Sequence, residues 1–131
     1  MDLSQYKDLF VAEARQYLQG MTAALDGLDK NPACKDSLGS LYLAAHSMKG
    51  MAMSMEFTQI AQLSAGLEHL ADRCRSAELR YDCTAGVVFR EGAQTLSLLV
   101  DAVQKKAPYE GDMAPLLDRI HALLAPPEFK L

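Results

Sequence analysis

In Leu38-Gly39-Ser40-Leu41-Tyr42-Leu43-Ala44-Ala45-His46-Ser47-Met48-Lys49-Gly50-Met51-Ala52-Met53 (residues 38–53), apolar residues return every three or four positions. Leu38, Leu41, Ala45, Met48 and Ala52 make one stripe, the signature of an amphipathic helix. The segment that carries this stripe runs from about Lys35 to Met53. Each residue turns about 100° around the axis, so His46 lies roughly 120° from the stripe's centre. A histidine there faces solvent or the flank of a bundle, not the core.

The same period governs the rest of the chain, and strand-like alternation is not sustained anywhere. A first helix is expected from about Ser4 to Asp29, with Phe10, Ala14, Tyr17, Met21, Leu25 and Leu28 at three- and four-residue steps. Asn31-Pro32 ends it, because the residue before a proline avoids the helical region. A third helix is expected from about Phe57 to Ser76, on Ile60, Leu63, Leu67, Leu70, Ala71 and Cys74. A fourth is expected from about Thr84 to Lys106, on Val88, Phe89, Leu96, Leu99 and Val103. Its last turn holds Lys105 and Lys106, which suit the helix dipole, and Pro108 follows. A fifth is expected from about Asp112, read as the N-cap, to Leu124, with Pro115 in the first turn and Leu116, Leu117, Ile120 and Leu124 apolar.

Short loops make consecutive helices antiparallel neighbours, and each apolar stripe must be buried against another. The expected fold is all-α: an up-and-down antiparallel four-helix bundle with an additional short C-terminal helix, in one domain over residues 1–125. Residues 126–131 are read as a tail. Glu128-Phe129-Lys130-Leu131 after Ala125-Pro126-Pro127 resembles two adjoining restriction sites translated in frame, a cloning remnant, so the chain is expected to be a fragment of something longer.

Composition narrows the function. With 131 residues the chain can bury a core without disulfides or metal. Its formal net charge is −4 and its basic residues form no cluster beyond Lys105-Lys106, which argues against nucleic acid. Cys34, Cys74 and Cys83 are odd in number and contain no C-x-x-C, so they read as reduced thiols in a cytoplasmic protein. No apolar run is long enough to span a membrane, and no secretory signal opens the chain. No Glu-x-x-His, C-x-x-C-H or nucleotide-binding glycine loop occurs, so no metal or cofactor is expected in this domain.

The face around His46 is unusual for a solvated helix. Gly39, Tyr42, Leu43, Lys49, Gly50 and Met53 share it. A glycine inside a helix costs about 1 kcal/mol relative to alanine, and here Gly39 and Gly50 flank one histidine. A surface that lets another protein approach an imidazole closely explains that choice, with Tyr42, Leu43, Gly50 and Met53 as the docking residues. Lys49, at i+3 from His46, would stabilise negative charge arriving at the ring. An unperturbed imidazole is mostly neutral near pH 7 and so is nucleophilic. It works better when an acceptor holds its second nitrogen, and Glu68, roughly 100° from the stripe centre of the third helix, is placed to reach across. Taken one at a time, these residues also read as ordinary surface. His69 and His121 read as solvated or boundary residues, and Met48, Met51, Met53 and Met55 as gap fillers.

Ala44-Ala45-His46-Ser47-Met48-Lys49-Gly50 resembles the phosphoacceptor motif of histidine phosphotransfer (HPt) domains, above all those at the N-terminus of CheA-type chemotaxis kinases. Phe57 and Glu68 stand where that pattern has its phenylalanine and glutamate, and Tyr6 to Leu28 is similar to its first helix. The resemblance implies that His46 accepts a phosphoryl group from an ATP-binding kinase domain and passes it to the aspartate of a CheY- or CheB-like receiver. It implies Lys49 as the phosphate-side cation, Glu68 as the imidazole orienter, and ATP and Mg²⁺ used by the partner kinase, with no catalysis by this domain alone. Met51, Met53, Glu56 and Ala65 depart from the pattern: small residues or glycines are common at the first three positions and a second histidine at the fourth. The main alternative is a helical docking module that is not phosphorylated. The helix pair of ordinary sensor kinases fits less well, because Ser47, not an acidic residue, follows His46.

Overall fold

The computed structural model describes residues 3–125. The tail at 126–131 lies outside them. Five helices follow in order: α1 (Leu3–Lys30), α2 (Lys35–Ser54), α3 (Thr58–Arg75), α4 (Cys83–Lys105) and α5 (Ala114–Leu124). Among the described residues there is no strand, and no helix is long and apolar enough to cross a membrane. In the four-helix bundle α1 touches α2 and α4, α3 touches the same two, and α5 packs on α3 and α4. Cross-links show the antiparallel sense. Arg15 on α1 meets Asp101 on α4, while Arg90, a few turns earlier on α4, meets Asp26 and Asp29 near the end of α1.

The stripes read from the sequence are the core. Leu38, Leu41, Ala45, Met48 and Ala52 of α2 are buried, as are Ile60, Leu63, Leu67, Leu70, Ala71 and Cys74 of α3. Phe10 of α1 packs edge-on against Phe57, ring centroids 4.8 Å apart, and seats the entrance to α3. Tyr17, Val103, Leu117 and Leu124 are half-buried at the margins. Two close approaches fix α3 in depth. A Cβ at Gly92 would stand 2.8 Å from both methyls of the fully buried Leu67, and one at Gly66 would stand 3.2 Å from Ile120. Since α3 carries Glu68, these contacts also set the depth of that carboxylate.

Several ends differ from the sequence reading. Helix α4 begins at Cys83 because the Asp82 carboxylate accepts the Ala85 N–H at 2.9 Å, an N-cap that the reading from Thr84 passed over. Helix α5 is capped at Met113, not Asp112; the Asp112 carboxylate still accepts the Ala114 N–H at 3.0 Å. Of the four methionines expected to fill gaps, Met48 is buried and Met51 and Met55 are half-buried, but Met53 is exposed. Cys34, Cys74 and Cys83 are free thiols. Burial pushes the Cys74 thiol up to about 11.

Helices α2, α3 and α4 share one kind of ending. Glu56, Ala77 and Lys106 each adopt positive φ, at 60°, 64° and 54°. In each case the next N–H reaches back five residues: Phe57 to the Ala52 carbonyl, Glu78 to Arg73 and Ala107 to Ala102. This is the Schellman geometry, normally given to glycine because a Cβ is strained there. No glycine among the described residues has positive φ. Glu56→Gly is therefore expected to stabilise the domain by about 1 kcal/mol. A urea midpoint unchanged or lowered would show that the Glu56 side chain compensates for its strained backbone.

Candidate functional site

His46, Lys49 and Glu68 come together on the α2–α3 flank. Glu68 sits four residues after the buried Ser64 and is itself buried, with its carboxylate turned toward α2. Its Oε2 lies 2.8 Å from Lys49 Nζ and 3.3 Å from His46 Nδ1. The imidazole remains 55% exposed while the carboxylate side chain is 10% exposed. A buried anion thus sits beneath an open ring, on the Nδ1 side. Burial pushes the Glu68 carboxyl up, but the Lys49 ammonium and the His46 ring outweigh it and hold the group below the ordinary carboxylate value. Glu68 is therefore ionised at neutral pH, with Oε2 within reach of a proton on Nδ1. An Nδ1–H turned to that carboxylate leaves the Nε2 lone pair directed away from it.

The sequence had only permitted the meeting of Glu68 and His46. It gave each residue's angle on its own helix, not the rotation of α3 against α2. Lys49 is where the spacing put it, one turn from His46, with its charge shared with Glu68. Of the expected docking residues, Leu43 and Met53 are 59% and 62% exposed. Gly39 and Gly50 have nothing within 4 Å of where a Cβ would stand, so internal packing does not require either glycine. Tyr42 differs from its neighbours: it is half-buried and lies parallel to His46, centroids 5.8 Å apart. Arg75, a residue the sequence reading did not single out, places its guanidinium carbon 4.0 Å from the centre of the Tyr42 ring. His69 and His121 are exposed, and neither forms an ion pair among the described residues. Among the described residues no three His, Cys, Asp or Glu side chains gather as metal ligands.

The sequence profile of the Hpt domain family matches residues 5–125, nearly all of the described chain. The chain belongs to the Hpt domain family. This Hpt domain is 29% identical over 103 residues to the chemotaxis protein CheA of Bacillus subtilis, covering 79% of the chain and 15% of that relative. It therefore spans about a sixth of the length of the curated relatives it matches. Among solved structures it is similar to the histidine phosphotransfer domain of CheA in solution, with a TM-score of 0.86 at 26% identity over 99% of both chains. It also shares its fold with the phosphorylated P1 domain of CheA3 in complex with CheY6 from R. sphaeroides, with a TM-score of 0.81 at 21% identity, over 92% of this chain and 95% of that one. The Hpt fold, a helical bundle of five helices, is thus the one the sequence motif implied.

Proposed function

We propose that this Hpt domain is the phosphoacceptor of a chemotaxis phosphorelay, with His46 as the acceptor. The observation that carries the reading is the buried, ionised Glu68 held 3.3 Å from Nδ1 of an otherwise open imidazole. Nε2 attacks the terminal phosphorus of ATP bound to a partner kinase domain; the N–P bond forms as the P–O bond to ADP breaks. In the second step a receiver aspartate attacks the same phosphorus and the P–N bond breaks. Positive charge grows on the ring as Nε2 attacks, and Glu68 stabilises it. The Lys49 ammonium, one helical turn away, offsets negative charge on the phosphoryl oxygens, where catalysis is mostly positioning and electrostatics. ATP and Mg²⁺ belong to the partners in this reading, which places the domain in the cytoplasm. The CheA3 domain in the solved complex binds CheY6, which supports a receiver of that kind as the recipient.

A docking module without phosphorylation accounts for exposed Leu43 and Met53 and for the open glycines. It does not account for a carboxylate buried beneath an imidazole. The test is to mix the domain with a CheA-type kinase core, ATP and Mg²⁺ and measure intact mass. One acid-labile, base-stable phosphoryl group is expected. A folded domain that stays unmodified beside a kinase active on its own substrate would overturn the reading.

Docking has its own test. A side chain at Gly50 meets nothing inside the domain, so Gly50→Leu is expected to leave folding intact or raise stability by up to about 1 kcal/mol through helix propensity. The same change is expected to weaken receiver binding at least about tenfold, because the partner's backbone loses its closest approach. Undiminished affinity by calorimetry would put the docking face elsewhere.

A further inference from the structure

Glu68 restrains the imidazole at one point. A ring held at Nδ1 alone still swings its plane about that contact, and the direction of Nε2 swings with it. The exposed face of His46 is not packed into the core, so a second restraint has to come from the surface.

Tyr42 supplies a plane. Its ring stands at i−4 from His46, the spacing that brings helix side chains face to face, and the two rings are within 14° of parallel. A half-exposed tyrosine would itself be mobile, but this one is braced. The Arg75 guanidinium lies over it, 4.0 Å from the ring centre, from the last turn of α3. Arg75 is anchored in turn by Asp72, Nη2 to Oδ1 at 2.8 Å. Asp72, Arg75, Tyr42 and His46 form a surface arm that starts on α3 and ends on the imidazole. Glu68 starts on the same helix and reaches the other side of the problem: it fixes a point, and the arm fixes a plane.

We infer that Tyr42, braced by Arg75, is a positioning residue that sets the plane of the His46 imidazole for in-line attack. This deepens the phosphoacceptor reading and rests on it. It assigns Tyr42 to the ring beside it and not to the partner. Contact with a partner would alter binding, whereas alignment of the nucleophile alters the rate of the bound complex.

The experiment measures phosphorylation of the domain by a CheA-type kinase core as a function of domain concentration, beside the histidine side-chain NMR signals. Tyr42→Leu is expected to lower kcat about tenfold with KM unchanged, and Tyr42→Phe, which keeps the ring, to restore the wild-type rate. Arg75→Met is expected to give a smaller fall in kcat, and it serves alone if Tyr42→Leu does not fold. The ring-current shift that Tyr42 imposes on the His46 Cδ2 and Cε1 protons is expected in wild type and in Tyr42→Phe, and absent from Tyr42→Leu. An unchanged kcat in the folded variants overturns the inference, as does a rise in KM with kcat intact, which would return Tyr42 to docking. Absence of the ring-current shift in wild type overturns it too. A wild-type domain that shows the ring-current shift but is never phosphorylated overturns the phosphoacceptor reading and, with it, the purpose assigned to the arm.

Discussion

His46→Gln is expected to remove phosphorylation completely while changing unfolding free energy by less than about 1 kcal/mol. The two halves of the result come from the same geometry. The side chain is 55% exposed and contributes nothing to the core, so its loss opens no cavity. Glutamine keeps a polar group beside Glu68, whose carboxylate still has Lys49 at 2.8 Å. It has no imidazole nitrogen, so no phosphoramidate bond forms at this position. Two other histidines make the experiment informative. His69 and His121 are exposed, as His46 is, but neither has a carboxylate ion-pair partner among the described residues. If accessibility sufficed, His46→Gln would keep its phosphate on one of them. Intact mass and peptide mapping separate the outcomes, and a phosphate retained at His69 or His121 would sink the claim that Glu68 is what makes an imidazole an acceptor.

The fold was open to reading because four long helices each carry one uninterrupted apolar stripe, and a bundle is the economical way to bury four stripes. The stripe of α2 also placed His46 outside the core without any tertiary information. What it could not supply was relative rotation. Glu68 and His46 are 22 positions apart, and their meeting depends on how deeply α3 sits, which is set by the approach of Gly92 to Leu67, the residue before Glu68. The role of Arg75 is hidden from the sequence for the same reason. At a helix end, beside Asp72, it looks like an ordinary solvated i,i+3 pair, and only the register of α3 against α2 brings it over Tyr42.

Local endings show the opposite kind of miss, where a signal was present. Asp82 stands three residues before Ala85, the N-cap spacing, and would have started α4 one residue earlier. Glu56 departs from the glycine that a left-handed turn favours, yet the backbone keeps that turn. Here the tertiary requirement prevails over residue preference, because Phe57 has to leave α2 at the angle that delivers it to Phe10. The departure therefore tells of a stability cost and not of a different loop.

Replacing Glu68 by glutamine is expected to slow phosphorylation of His46 about ten- to a hundredfold without abolishing it. A hydrogen bond to a charged group is worth about 1.5–3 kcal/mol, and each 1.4 kcal/mol in the barrier is a factor of ten. Glutamine keeps the shape and an acceptor oxygen but not the charge that offsets the positive ring in the transition state. Stability gives an independent check with a defined sign. The folded carboxyl titrates below its ordinary value, so its contribution is present above the unfolded value, near 4.3, and is lost as the pH falls through the folded one. Wild type is therefore expected to exceed Glu68→Gln by about 1–2 kcal/mol at pH 7, toward the low end because Lys49 at 26% exposure reaches water when its partner is lost. The gap is expected to narrow below about pH 4. Urea unfolding at pH 7 and pH 3.5 measures it. A variant phosphorylated at the wild-type rate would leave Glu68 as a structural anion paired with Lys49, and the orientation of His46 would then rest on the Tyr42 arm alone.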